Sequence, residues 1–432
     1  MEERIFDINA ENRDILNIIR SNPGIEKTTV AKILDMAFKT VSLRMENLEE
    51  KGFIHTEPYL KIIPSKFYMC GISIGGSHCK LSFAKADYCG LEKAEFESII
   101  KKYDVFQQDF WVKKDNETDY GYRYFETPNN ISILITDLRQ ILQDIIKLYD
   151  VSLTENEVPP IISIGIALTG SIDPVQQVIV RSHNLDYLKN VPINALLDPD
   201  ILYALKQRKI ELLIDHNAKA TAVCEKFSLY QKNNRNHEFC QRKNIACFYL
   251  GSGVGCGLIL DNKLIRGSNN FSGELGHIQV PRYFETKENN ILEKCTCGSE
   301  ECLEHLMIHD VFRMTRNEFR KITSAEISSI FSKLKEDDKA EYDKRMRALG
   351  YYIGWAMDAV TKLLDIDLVI FSGKMTCFIE DAWPHIKLGN SELNYRTVNC
   401  TRILSKYGAL APSIGAAILS TYNPSDIIEW KY

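Results

Sequence analysis

The chain has 432 residues, of which 45% are hydrophobic and 26% charged, with a net charge of −5. This balance excludes a disordered chain, a collagen-like repeat and a small disulfide scaffold. At ~150 residues per domain it leaves room for about three units. No apolar stretch approaches the ~18 residues of a membrane-spanning helix; the longest candidate, Ile161–Leu168, has the length of a strand. The acidic start, Met1-Glu2-Glu3-Arg4, lacks an apolar signal-peptide core, so a cytoplasmic location is expected.

The first sixty-odd residues read as a small helical unit. Ile15, Leu16, Ile18 and Ile19 give a first helix an apolar face, and Val30, Ala31, Ile33 and Leu34 give a second one. Thr28-Thr29 suit an N-cap for the second helix. A third helix runs over 38–48, with Val41, Met45 and Leu48 on one side, and Gly52 stops it. Phe53-Ile54-His55 and Leu60-Lys61-Ile62-Ile63 then read as short strands around Glu57-Pro58. This order is that of a winged helix-turn-helix. Lys39, Thr40, Ser42 and Arg44 are its candidate major-groove contacts, because Lys and Arg reach phosphates or guanine edges and hydroxyls bond to either. Residues 1–66 hold 10 Lys+Arg against 11 Asp+Glu, so charge does not separate DNA binding from a protein-contact role.

From residue 67 strands and helices alternate, which defines an α/β body. Expected strands lie at 67–84 around Gly75-Gly76, at Ile161–Leu168, at 212–214 leading into a helix over 218–227, at Ile245–Leu250, at 257–260, and at 368–371 before Ser372-Gly373. Residues 103–130 are polar and aromatic and read as an insertion or a long loop. The glycine turns at 71–76 and 251–255 each sit between strands, where backbone N–H groups can approach an anion. With Gly373 after a late strand, they suggest the phosphate and adenosine loops of an actin-like ATPase fold.

The twelve cysteines should be reduced in a cytosolic protein. Only Cys295, Cys297 and Cys302 cluster, and His277 lies eighteen residues upstream of Cys295. Three thiolates and an imidazole match a closed, structural zinc site. A loop stapled in this way could turn the nearby carboxylates of Glu274 and Glu304 into one cleft, a natural clamp for vicinal hydroxyls.

These motifs resemble the ROK family, which groups sugar-responsive bacterial repressors with sugar kinases. The resemblance rests on Gly-Ile-x-Ile-Gly-Gly at 71–76, Gly-x-Gly-x-Gly at 251–255, Gly-Glu-Leu-Gly-His at 273–277 and Cys-x-Cys-Gly-x-x-x-Cys-x-Glu at 295–304. It implies a winged helix-turn-helix over 1–66 and a two-lobed actin-like (ribonuclease H-like) body. The first lobe spans 67–180, completed by a C-terminal helix at 413–432, and the second spans 181–412. It also implies a sugar pocket of Asn184, Asn217, Glu274, His277 and Glu304, with a zinc site of His277, Cys295, Cys297 and Cys302. The implied partners are operator DNA, a sugar effector and further copies of the chain, as a homodimer or a dimer of dimers. Family kinases carry a carboxylate in the first phosphate loop and another as general base. Here those positions are Ser73 and Asn217, so the resemblance implies a non-catalytic relative. A one-residue slip would instead bring Asp215 or His216 to the base position. A sugar kinase and a sugar sensor that does not bind DNA are the alternatives.

Overall fold

The computed structural model describes residues 10–422, other than 23, 59, 112–118, 155–158, 174–175, 177, 183, 232–235, 285–293 and 393–399. The N-terminal unit consists of helices Ala10–Ser21, Lys27–Ile33 and Phe38–Glu50 and the antiparallel strands Ile54–His55 and Lys61–Ile62. Ile15, Leu16 and Ile19 meet Val41, Met45 and Leu48 in its core. The second helix starts earlier than its sequence suggests. Glu26 is its N-cap residue, and Thr28 and Thr29 lie inside it, the Thr28 hydroxyl donating back to Glu26 at 3.2 Å.

The body holds two five-stranded sheets among the described residues. The first runs Glu211–His216, Ile161–Leu168, Tyr68–Ile74, His78–Lys85, Tyr122–Glu126. Its first three strands are mutually parallel and its last two join antiparallel. The second runs Lys263–Ile265, Val254–Leu260, Ile245–Leu250, Leu368–Ser372, Thr401–Leu404. Two expectations change here. Glu211–His216 pairs with Ile161–Leu168, so the first lobe extends to His216 and not to residue 180. The segment 103–130 is not merely a loop, because Tyr122–Glu126 forms the sheet edge and buries Phe125 against Phe110 and Trp111. The 251–255 turn is also tighter than expected, since the strand resumes at Val254.

Two helices join the lobes. The central helix, Asn217–Ser228, is buried along its whole length. The C-terminal helix, Ala411–Tyr422, crosses it and covers the first sheet. Both crossings are too close for a side chain. A Cβ on Gly165 would stand 1.8 Å from the Ala416 carbonyl oxygen, and one on Gly415 would stand 1.9 Å from that of Ala220. Backbone atoms cannot yield to such a contact as a flexible side chain does. Gly165→Ala should therefore lower stability by about 1–3 kcal/mol or more, as overpacking does, measured by urea unfolding. Wild-type stability in the variant would refute this packing.

Candidate functional site: an interlobe cavity beside a thiol cluster

A cavity of about 860 Å³, including its open mouth, lies between the lobes. From the first lobe come Ser73 and the Gly75–Gly76–Ser77 turn, with Thr169 and Asn184. From the second come the turn at 252–255 and Glu274, His277, Glu304 and Arg316. His216 and Asn217 line it from the start of the central helix. All five residues expected of a sugar pocket are thus brought together.

Their hydrogen bonds define what the cavity can accept. Asn217 Nδ2 donates to the Ile74 carbonyl at 3.0 Å, and Asn184 Nδ2 donates to Thr169 Oγ1 at 2.9 Å. The amide oxygens of both are buried without a partner among the described residues. Buried acceptors of this kind are costly unless a ligand donates to them. Glu304 is more engaged than a free sugar clamp would be. One oxygen accepts from the Val254 N–H at 2.6 Å and the other from Arg316. Burial raises the pKa of Glu274, although His277 and Lys219 oppose this. Among the described residues, Glu274 and Glu304 are the only carboxylates lining the cavity. Asp215 is elsewhere: it is buried, accepting from Arg266 Nε at 2.8 Å and from the His216 N–H at 2.7 Å. Burial would raise its pKa, but Arg266 and Lys219 outweigh this and hold it low. His216 Nδ1 accepts from the Ala218 N–H at 3.2 Å and so caps the helix.

The metal ligands expected from the sequence also converge. The donor atoms of His277, Cys295, Cys297 and Cys302 all lie within 4.8 Å of one another. Cys295 Sγ is 3.6 Å from His277 Nδ1. Ligand bonds of about 2.3 Å to sulfur and 2.0–2.1 Å to nitrogen require edges of that order in a tetrahedron, so this donor set fits a metal ion. His277 faces two ways, since its Nε2 lies 4.0 Å from Glu274 Oε2. One nitrogen therefore faces the thiols and the other the cavity, which accounts for its appearing in both expected sites.

Sequence reasoning missed Arg316. It donates to Cys295 Sγ at 3.2 Å as well as to Glu304, linking the thiol cluster to the cavity. It opens the short helix Arg316–Lys321, whose Thr315/Glu318 capping box was visible in the sequence. Arg320, one turn on, reaches the Asn184 carbonyl across the cleft.

In the N-terminal unit, Lys39 and Thr40 are exposed, and Ser42 and Arg44 are half-buried. They do not share one line. Helical spacing puts Thr40 and Arg44 on one flank and Ser42 on the other, where its hydroxyl donates to Glu46 at 3.1 Å. Leu43, 67% exposed, projects beside Lys39 and was also missed.

A two-lobed body with an interlobe cavity, carrying a winged helix-turn-helix, is the architecture of a sugar-kinase-like fold joined to a DNA-binding unit. The ROK family model matches residues 123–422, and the chain belongs to that family. A winged helix-turn-helix DNA-binding model matches residues 12–55. The chain is 25% identical to the xylose repressor of Caldicellulosiruptor bescii over 67% of this chain and 62% of that protein. It is 24% identical to the xylose repressor of Staphylococcus xylosus, over 66% and 65%. It thus spans less than two thirds of the length of these relatives. Over a shorter stretch, 33% of this chain and 42% of the relative, it is 30% identical to the N-acetyl-D-glucosamine kinase of Vibrio vulnificus. In structure it is similar to a ROK family transcriptional regulator, a homologue of the Escherichia coli MLC protein, with a TM-score of 0.65, 16% identity and 96% of each chain covered. A ROK family glucokinase from Streptomyces griseus, in complex with glucose and AMPPNP, gives a TM-score of 0.53 at 17% identity, covering 82% of this chain and 98% of that one.

Replacing Cys302, which is fully buried among these ligands, should remove the metal. Plasma mass spectrometry of purified Cys302→Ser protein should find it metal-free, with a lowered melting temperature, because binding energy at such a site is also folding energy. Full metal content would refute the ligand set.

Proposed function

We propose that this chain is a sugar-responsive transcription regulator, most simply a repressor, which has lost sugar phosphorylation. One observation carries the reading: the cavity is rich in acceptors for hydroxyl groups yet is lined by Asn217 and Ser73, the two residues that the family resemblance aligns with the kinases' carboxylates. An amide cannot take a proton as a carboxylate does, and a positioned base contributes about 10²–10⁴-fold. Asp215 cannot substitute while it is buried against Arg266. Orphan amide oxygens and two carboxylates call for a ligand with many donors, which a sugar supplies.

The relatives named as xylose repressors support this reading, and so does the match to a DNA-binding model. Residues 1–66 would bind the operator through Lys39, Thr40 and Arg44, with Ser42 at the edge of the contact. Residues 67–216 and the C-terminal helix would form the first sugar-binding lobe. Zinc suits the Cys/Cys/Cys/His set, and its role would be to fix the loop that carries His277 and Glu304. A two-fold operator would call for a homodimer or a dimer of dimers. Among the described residues no helix is long and apolar enough to cross a membrane.

The test is fluorescence anisotropy on DNA upstream of the gene, across a salt series and with a sugar panel. The Lys39→Ala/Arg44→Ala variant should lose affinity, with its salt slope reduced by about one unit per phosphate contact removed. Unchanged binding would refute the placement. A coupled ADP-release assay should show no sugar-dependent turnover; sustained turnover would restore the kinase reading.

A further inference from the structure

The winged unit does not hang on a loose tether, and its seat on the body lies at the far end of the helix that begins at the cavity. Arg20, in the first helix of that unit, is 7% exposed. Its Nε donates to the Ala86 carbonyl at 2.6 Å, and its Nη1 donates to the Tyr88 hydroxyl at 3.0 Å and to Asn17 Oδ1 at 2.8 Å. The Tyr88 hydroxyl donates to Asn17 Oδ1 at 2.9 Å, and the Arg20 guanidinium lies 4.2 Å over the Tyr88 ring. The same ring also meets Phe227 edge to face, centroids 4.5 Å apart. Phe227 sits in the last turn of the central helix, whose first residue is Asn217.

Tyr88 is held in an unusual way for this purpose. It is 1% exposed and its φ is +66°, in the left-handed region that a bulky residue enters at a cost. Such a conformation persists where surrounding contacts over-determine it, and here a cation and a ring both pack on the side chain. Around it the apolar core is continuous. Ile15, Ile19 and Met45 of the winged unit, Tyr88, and Val223 and Phe227 of the central helix belong to one cluster. Farther along, Glu225 accepts from Ser405 and from the Lys406 N–H, fixing the same end of the helix to the turn before the C-terminal helix.

We infer that Tyr88 is the positioning residue that couples the cavity to the DNA-binding unit, with the central helix as a rigid rod between them. This rests on the proposed function. Twelve helical residues span about 18 Å, and a helix buried on every side moves as a body. Asn217 Nδ2 ties its first turn to the first lobe at Ile74, so a change in the cleft displaces Phe227 against Tyr88. Tyr88 passes that displacement to Asn17 and Arg20, whose helix packs on the recognition helix.

Spatial continuity alone does not establish coupling, so the test measures coupling. D-xylose, D-glucose and N-acetyl-D-glucosamine are screened by thermal shift on the full chain. Amide hydrogen exchange over Ala10–Ser21 is then read with and without the stabilising sugar. In the wild type the sugar should change that exchange about five-fold or more, within the usual range for linked sites. Tyr88→Phe keeps the ring on Phe227 and removes the hydroxyl. It should retain the sugar-induced thermal shift and lose the response in the first helix. Arg20→Met should behave alike. A full response in Tyr88→Phe overturns the inference while leaving the effector reading intact. If none of the sugars stabilises the protein, the effector reading fails on these probes, and the linkage is read without ligand. Asn217→Ala should then alter exchange in the first helix in the wild-type background and not in Tyr88→Phe; additive effects overturn the inference.

Discussion

The fold depends on burying one polar-faced helix completely. The segment Asn217–Ser228 carries Asn, Lys, Thr, Glu, Lys and Ser, and every residue of it is buried. That is sustainable only if its polar groups are met inside the protein, as they are here apart from the Asn217 amide oxygen that faces the cavity. Lys219 reaches the Asn270 carbonyl at 2.8 Å, and Lys226 the carbonyls of Cys240 and Arg242. Thr221 and Ser228 bond back to their own helix, and Glu225 is met by Ser405 and Lys406. These partners come from loops of the second lobe and from the turn before the C-terminal helix, while Asn217 Nδ2 adds the Ile74 carbonyl of the first lobe. Satisfying this helix therefore fixes how the lobes meet, and with it the shape of the cavity at its first turn.

The second lobe shows a related economy at His277. Three thiolates around a divalent metal ion would leave excess negative charge beside a cavity that already holds Glu274 and Glu304. Arg316 lies between the two groups and donates to both Cys295 and Glu304. Its burial is tolerable because the neighbouring carboxylate and thiols favour its charge. The thiol cluster and the cavity are therefore one electrostatic unit. Removing a metal ion bound at this cluster would leave Arg316 with a different balance of partners and would be felt at Glu304.

Much of this was legible in the sequence, because the informative residues are local. Gly-Glu-Leu-Gly-His and the Cys-x-Cys-x4-Cys run encode their geometry within a few residues, the four candidate metal ligands converge as their spacing suggests, and the five residues that the family resemblance implies for the pocket line one cavity. Three things were hidden, each for a physical reason. Glu211–His216 reads as a strand, but nothing local says that it pairs with Ile161–Leu168, so the lobe boundary fell too early. Tyr122–Glu126 is an edge strand with a polar face, and periodicity does not separate it from a loop. Arg316 and Tyr88 act through partners 12 and 68 positions away in the chain, and residue type alone did not single them out.

On the proposed reading, the cavity would serve a regulator that keeps the shell of a kinase without the kinase carboxylates. A signal must be bound and not consumed. On that reading, the amide of Asn217 would offer a hydroxyl an acceptor without acting as a base, and occupancy would follow ligand concentration and not turnover. For occupancy to shift an equilibrium, the ligand must favour one arrangement of the lobes over another. Among the described residues, few direct hydrogen bonds cross the cleft, one of them from Lys80 to the Ala409 carbonyl at 2.8 Å. Ser77 and Ser252 meet at 3.4 Å, and Arg320 reaches the Asn184 carbonyl. A ligand that engaged Asn184 in one lobe and Glu274 in the other would add contacts comparable to those already holding the mouth. A substantial part of the closing force would then come from the ligand, which is the condition for a cleft to report on what it holds.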